Sequence, residues 1–136
     1  MTSFGTPDYG MTRSLGKVSI ADARPAVEAA LKEQGFGVLT EIDVKATLKK
    51  KIGADTEPYL ILGACNPQLA HQALDFEPGI GLLLPCNVVL ATKGDETIVS
   101  FADPLALFSI VGKPDLEPIA KQVRERLVTA MESIKV

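Results

Sequence analysis

Tryptophan is absent from these 136 residues, and aromatic side chains of any kind are few: five Phe and two Tyr. A core without large rings must be assembled from Leu, Ile, Val and Ala, and stacking platforms for single-stranded nucleic acid lack their material. Excess positive charge is missing too. Fourteen Lys and Arg against seventeen Asp and Glu leave a formal net charge of −3, which offers a phosphate backbone little to bind and argues against a nucleic-acid partner. The one basic run, Lys49-Lys50-Lys51 with Lys45 behind it, falls on a predicted helix with an apolar opposite side and reads as a solvated face.

No hydrophobic stretch approaches the roughly 20 apolar residues of a membrane-spanning helix, so no membrane partner is expected. The longest run, Ile80 to Ala91, is broken by Gly81, Pro85 and Asn87. Residues 1–16 lack the apolar segment of a secretory signal. Residues 1–15 are expected to form a flexible lead before a single domain over residues 16–136. Without an export signal the expected compartment is the cytoplasm, where the only two cysteines, Cys65 and Cys86, stay reduced unless they are redox-active. Phosphate loops, dinucleotide fingerprints, nucleophile elbows and metalloprotease helices are all missing, and no complete catalytic set points to an enzyme.

What is present is a chain long enough to bury about two-thirds of its unfolded surface without staples. Lys17-Val18-Ser19-Ile20 alternates polar and apolar and predicts a short strand. Asp22 is the expected N-cap of a first helix, with Pro25 in its first turn and Gly35 at its end. Phe36 to Ile42 is strand-like, and Asp43 caps a second helix carrying Val44, Leu48 and Ile52 up to Gly53. Tyr59 to Leu62 reads as a buried strand. Asn66 and Pro67 suit the N-cap and first position of a third helix running to about Asp75.

Beyond Pro78-Gly79, Ile80 to Leu84 reads as a further buried strand, interrupted at Pro85 and resumed from Cys86 to Thr92. Lys93-Gly94-Asp95-Glu96 has hairpin chemistry, and Thr97 to Phe101 returns. Asp103-Pro104 is a turn, and Leu105 to Val111 has no clear assignment. Asp115 is the expected cap of a last helix with Pro118 in its first turn and a long apolar stripe from Leu116 to Ile134. These elements predict an α+β fold: a mostly antiparallel or mixed sheet of five to six strands, with about four helices packed mainly on one face. Two strands apolar on both sides would leave the other face in need of cover, and a homodimer is the simplest solution.

The candidate site is a repeated step, Ala64-Cys65-Asn66-Pro67 and Leu84-Pro85-Cys86-Asn87. Cys65 stands just before a helix N-cap, where orphan N–H groups and the helix dipole can lower a thiol pKa. The plainer reading is a small buried hydrophobe. Pro85 cannot donate to a sheet ladder and should mark a bulge or edge; the sequence leaves the Leu84–Pro85 bond open between cis and the commoner trans form. Asn66 is explained as a cap. Asn87 is not, since Asn is disfavoured in strands and costly to bury unpaired. His71, the single histidine, would with Cys65 and Cys86 make a Cys-Cys-His set suited to zinc or copper, although the spacing matches no metal motif and a surface histidine is the plainer reading. Asp75, Glu77 and Asp103 could gather as an acidic cluster near the turns.

The segments Tyr59 to Pro67, Leu69-Ala70-His71 and Gly81 to Val88, together with Gly35-Phe36-Gly37-Val38, Ile42-Asp43-Val44 and Asp103-Pro104, resemble the prokaryotic family called domain of unknown function 302. The resemblance covers about residues 16–134. It implies a small homodimeric α+β protein with no established activity, and it matches at Cys65, Asn66, Pro67, His71, Pro85, Cys86 and Asn87 without assigning a role to any of them.

Three functions follow as expectations. The first is a homodimeric accessory protein that binds a small ligand or a partner near Cys65, Asn66, Pro85, Cys86 and Asn87, with no cofactor. The second is a thiol redox or sulfur-carrier protein using Cys65 and Cys86. The third is a zinc or copper site at Cys65, Cys86 and His71.

Overall fold

The computed structural model describes residues 2–136. Its centre is a five-stranded sheet of β1 (Gly10–Ser14), β2 (Gly37–Asp43), β3 (Tyr59–Cys65), β4 (Cys86–Lys93) and β5 (Glu96–Ala102), in the order β1-β5-β4-β3-β2. Every neighbouring pair is antiparallel. Five α-helices are formed among the described residues, one more than expected: α1 (Ile20–Glu33), α2 (Val44–Ile52), α3 (Pro67–Phe76), α4 (Pro104–Phe108) and α5 (Glu117–Ser133). The added one, α4, occupies the unassigned Leu105 stretch. Asp103 is its cap, accepting from the Leu105 N–H while Arg124 of α5 holds its other oxygen at 3.1 Å.

Strand alternation sorts the sheet into two faces. Leu62, Ala64, Cys86, Val88, Leu90, Val99 and Phe101 are buried on one of them. They meet Val27, Ala30 and Leu31 of α1, Leu69 and Ala73 of α3, and Ile119, Val123, Leu127 and Ala130 of α5 in one core. Each fully buried side chain of this size contributes about 1.5–3 kcal/mol, so this layer carries the fold. By contrast α2 buries no residue, and Ile52 is left exposed.

Several local expectations are overturned. Lys17 to Ser19 is a connector, and the first strand is Gly10–Ser14, inside the stretch expected to be a flexible lead. This strand is held at both margins: it pairs with β5 from Gly10↔Ala102 to Ser14↔Ile98, and Arg13 Nη1 donates to the Met131 and Ile134 carbonyls at 2.7 and 3.2 Å. A cation on the last carbonyls of a helix is favoured by both hydrogen bonding and the helix dipole. Helix α1 begins earlier than Asp22 because Ser19 is its cap, its Oγ accepting from the Asp22 N–H. Pro25 therefore lies in the second turn.

Ile80 to Leu84 forms no strand. Residues Pro78–Leu83 make a 3-10 turn, started by Glu77 Oε1 accepting from the Gly79 N–H. Ile80 is fully buried, whereas Leu82 is 91% exposed. Two glycines and a proline within four residues favour a tight turn over an extended ladder, and one anchor side chain satisfies the core. Asp115 sits in another 3-10 turn, Pro114–Leu116, and α5 starts at Glu117 with no side-chain cap.

The second face of the sheet carries Thr40, Ile42, Tyr59, Ile61, Gly63, Asn87, Val89, Ala91, Ile98 and Ser100. Register aligns Ile42 with Ile61 and Val89, and Val89 with Ser100. None of these residues belongs to the core shared by α1, α3 and α5; α2 touches the β2 and β3 strands but buries no residue. Residues 2–9 run across part of it, with the Phe4 and Tyr59 ring centroids 6.4 Å apart.

Candidate functional site

Antiparallel pairing of β3 and β4 explains why the two Cys-Asn steps come together. The end of one strand lies beside the start of the other, with Ala64 opposite Cys86 and Gly63 opposite Asn87. The four side chains then part. Cys86 is buried on the helix side; Asn87 is exposed on the opposite face; Cys65 is half-buried at the strand end; Asn66 turns into α3.

Asn66 does more than cap. Its Oδ1 accepts from the Leu69 N–H at 3.2 Å, and its Nδ2 donates to the Gln34 carbonyl at 3.5 Å. Arg126 Nη1 donates to the same carbonyl at 3.4 Å. Asn66 thereby ties the start of α3 to the end of α1, which satisfies a buried amide. Gly35 makes this possible: its φ is +85°, and a Cβ there would stand 2.9 Å from Asn66 Nδ2.

Pro85 precedes β4 and interrupts no strand, and its bond to Leu84 is cis. Its ring lies over Gly63: a Cβ at Gly63 would be 2.7 Å from Pro85 Cγ and 2.2 Å from Thr40 Oγ1. Thr40, Gly63, Pro85 and Asn87 thus form one close-packed corner of the helix-free face. Asn87, expected to need a buried partner, has an ordinary account, because it faces solvent and pays no desolvation cost.

Neither thiol is activated. Burial raises the Cys65 pKa. For Cys86, burial first and the nearby Cys65 second push it up to about 11. Both cysteines are free. A cavity of about 20 Å³ touches Ala64, Cys65, Leu69, Ala73 and Cys86, room for about one water molecule.

His71 lies elsewhere. Its side chain is 78% exposed on α3, with Nε2 3.7 Å from Asp75 Oδ1. Among the described residues no three His, Cys, Asp or Glu side chains gather as a metal-binding group, so Cys65, Cys86 and His71 are not brought together. The expected acidic cluster is dispersed as well, since Glu77 pairs with Lys113 at 2.8 Å and Asp103 with Arg124. Lys49 pairs with Asp55 in solvent. No helix of the described residues is long and apolar enough to cross a membrane.

The fold is thus an α+β arrangement with a helix-free sheet face beside the Cys-Asn corner. The chain belongs to the family described as Domain of unknown function DUF302, which it matches over residues 11–134. It is similar to the crystal structure of an uncharacterized conserved protein DUF302 from Bacillus stearothermophilus, with a TM-score of 0.87 and 28% identity over 95% of this chain and 100% of that one. No curated protein matches it.

The sequence singled out Asn66, Pro85 and Asn87 but missed Thr40, Ile42, Gly63 and Val89, which share a face with Asn87. The alternation Thr40, Ile42 was visible. A face left free by the helices was expected; which residues of β2, β3 and β4 would share it was set by strand register and was not legible.

Proposed function

We propose that the protein is a homodimeric binding or accessory module without turnover, whose partner surface is the helix-free sheet face bordered by Cys65, Pro85 and Asn87. One observation carries the reading: Thr40, Ile42, Ile61, Asn87 and Val89 form an uncharged patch, with Ile42 half exposed. A second copy of a chain with net charge −3 meets no like-charge repulsion there, and self-complementary two-fold contacts are the commonest closed assembly. A partner fits this geometry better than a small ligand. Ligand pockets enclose about 300–1,000 Å³, whereas the cavity at the cysteines holds about 20 Å³.

Thiol chemistry is the weaker reading, because raised pKa values leave little thiolate at neutral pH. Sedimentation of the wild type and of Ile42→Glu from micromolar to millimolar concentration is the test. The expected result is a wild-type dimer that the exposed-site variant dissociates while remaining folded. A wild type that stays monomeric throughout, or a dimer indifferent to Ile42→Glu, would overturn the proposal.

A further inference from the structure

Three residues of the helix-free face are buried although no helix covers them: Ala91 at 3%, Ile98 at 7% and Ser100 at 6% exposure. Register places them on β4 and β5, with Ala91 between Tyr59 and Ile98. Across them runs the segment of residues 2–9. Phe4 packs at Tyr59 on one side. On the other, the Cβ position of Gly10 is 3.3 Å from Pro7 Cγ and 3.0 Å from Ser100 Oγ, which puts the Pro7 ring beside β1 and β5. The segment is thus a diagonal strap over the half of the face that the uncharged patch leaves.

Two rings mark its course, that of Phe4 at Tyr59 and that of Pro7 beside Gly10 and Ser100. Its backbone bonds lie at its end, where Pro7 O accepts from the Gly10 N–H and Tyr9 O from the Asp103 N–H. Residues 2–6 make no hydrogen bond to the described residues. A segment with one aromatic anchor and little hydrogen bonding opens at low free-energy cost.

Area decides what opening would do. With strands about 4.8 Å apart and about 3.4 Å per residue, the five strands together have a footprint of roughly 570 Å², of which the diagonal strap leaves about half bare. A standard interface buries about 800 Å² of accessible surface per partner. Both the bare part and the whole face have footprints below that figure, and opening the strap about doubles the adjoining surface the face offers.

We infer that residues 2–9 are a displaceable strap that competes with a second copy of this chain for the sheet face, so that its release strengthens dimerisation. This inference rests on the homodimer reading above. When a binding-competent state is only partly populated, affinity falls by that fraction. Both protomers must release a strap, so the effect enters twice.

The experiment compares sedimentation of the wild type, Phe4→Ala and a chain lacking residues 2–8, each with and without Ile42→Glu, and checks folding by circular dichroism. Loss of an aromatic anchor shifts the strap equilibrium by roughly threefold to tenfold. The dimer dissociation constant of Phe4→Ala is therefore expected to fall by roughly tenfold or more, with the truncated chain at least as tight and Ile42→Glu reversing both gains. A wild-type dimer sensitive to Ile42→Glu but unchanged or weakened by Phe4→Ala and by truncation would refute the strap and leave the homodimer reading standing. Monomers in every form would refute both. Association of the truncated chain that persists with Ile42→Glu would assign it to another surface and also refute the strap.

Discussion

Replacing Gly63 with alanine tests the close-packed corner beside Asn87. Two atoms stand where the new methyl group would go: Thr40 Oγ1 at 2.2 Å and Pro85 Cγ at 2.7 Å. Real Cβ atoms do not tolerate either separation, so something must shift. Neither yields freely: Thr40 is β-branched and stiff at χ1, and the Pro85 ring is closed on its own backbone. Overpacking of this kind costs about 1–3 kcal/mol, and two simultaneous clashes place Gly63→Ala near the upper end, at about 2–3 kcal/mol. In a chain of this length that lowers Tm by roughly 6–12 °C. Thr40→Ala supplies the control. Thr40 Cβ lies at 3.5 Å, an ordinary contact, so removing the hydroxyl abolishes the worse clash and leaves that with Pro85. The double variant should regain about half of the loss. Urea unfolding monitored by circular dichroism, with unchanged slope, reads both values. Gly63→Ala within about 0.5 kcal/mol of wild type, or a double variant no more stable than the single, would refute the reasoning.

Asn66→Ala should cost about 1–2 kcal/mol, since it removes the cap of α3 and the donor to Gln34; Asn66→Asp, which keeps the acceptor for the Leu69 N–H, should lose less in the same denaturant titration. The Cys86 thiol gives a pH test. Its native pKa is about 11 against an ordinary 9.0, so the unfolded chain releases the proton first and stability falls as pH rises through that window. Between pH 8 and pH 10 the wild type should lose about 1 kcal/mol more than Cys86→Ala. Equal losses in the two proteins would mean that the thiol is not shielded as described.

Glycines, caps and apolar spacing are local signals, and they were legible in the sequence where one local interaction decides the outcome. Asp43 and Asn66 cap α2 and α3 because a side-chain oxygen reaches an N–H three residues away, and Gly94 allows the hairpin that pairs Lys93 with Glu96. Local signals failed where two readings were both available. Ile80 to Leu84 is apolar enough for a strand, yet only Ile80 enters the core and the glycines let the chain turn. Gly10 to Ser14 has little strand character by itself and becomes β1 because β5 and the end of α5 hold Arg13 and its neighbours.

The sequence by itself determined an α+β chain with two matched Cys-Asn steps, since periodicity and capping depend on neighbours within a few residues. Tertiary structure alone decided that those steps sit side by side with their side chains parted, because strand register and pleat are set by residues up to dozens of positions away. It also decided that both thiols are shielded, that Asn87 faces solvent, and that Thr40, Ile42, Gly63 and Val89 share its face: burial and facing belong to the packed layers, and no short stretch of sequence contains them.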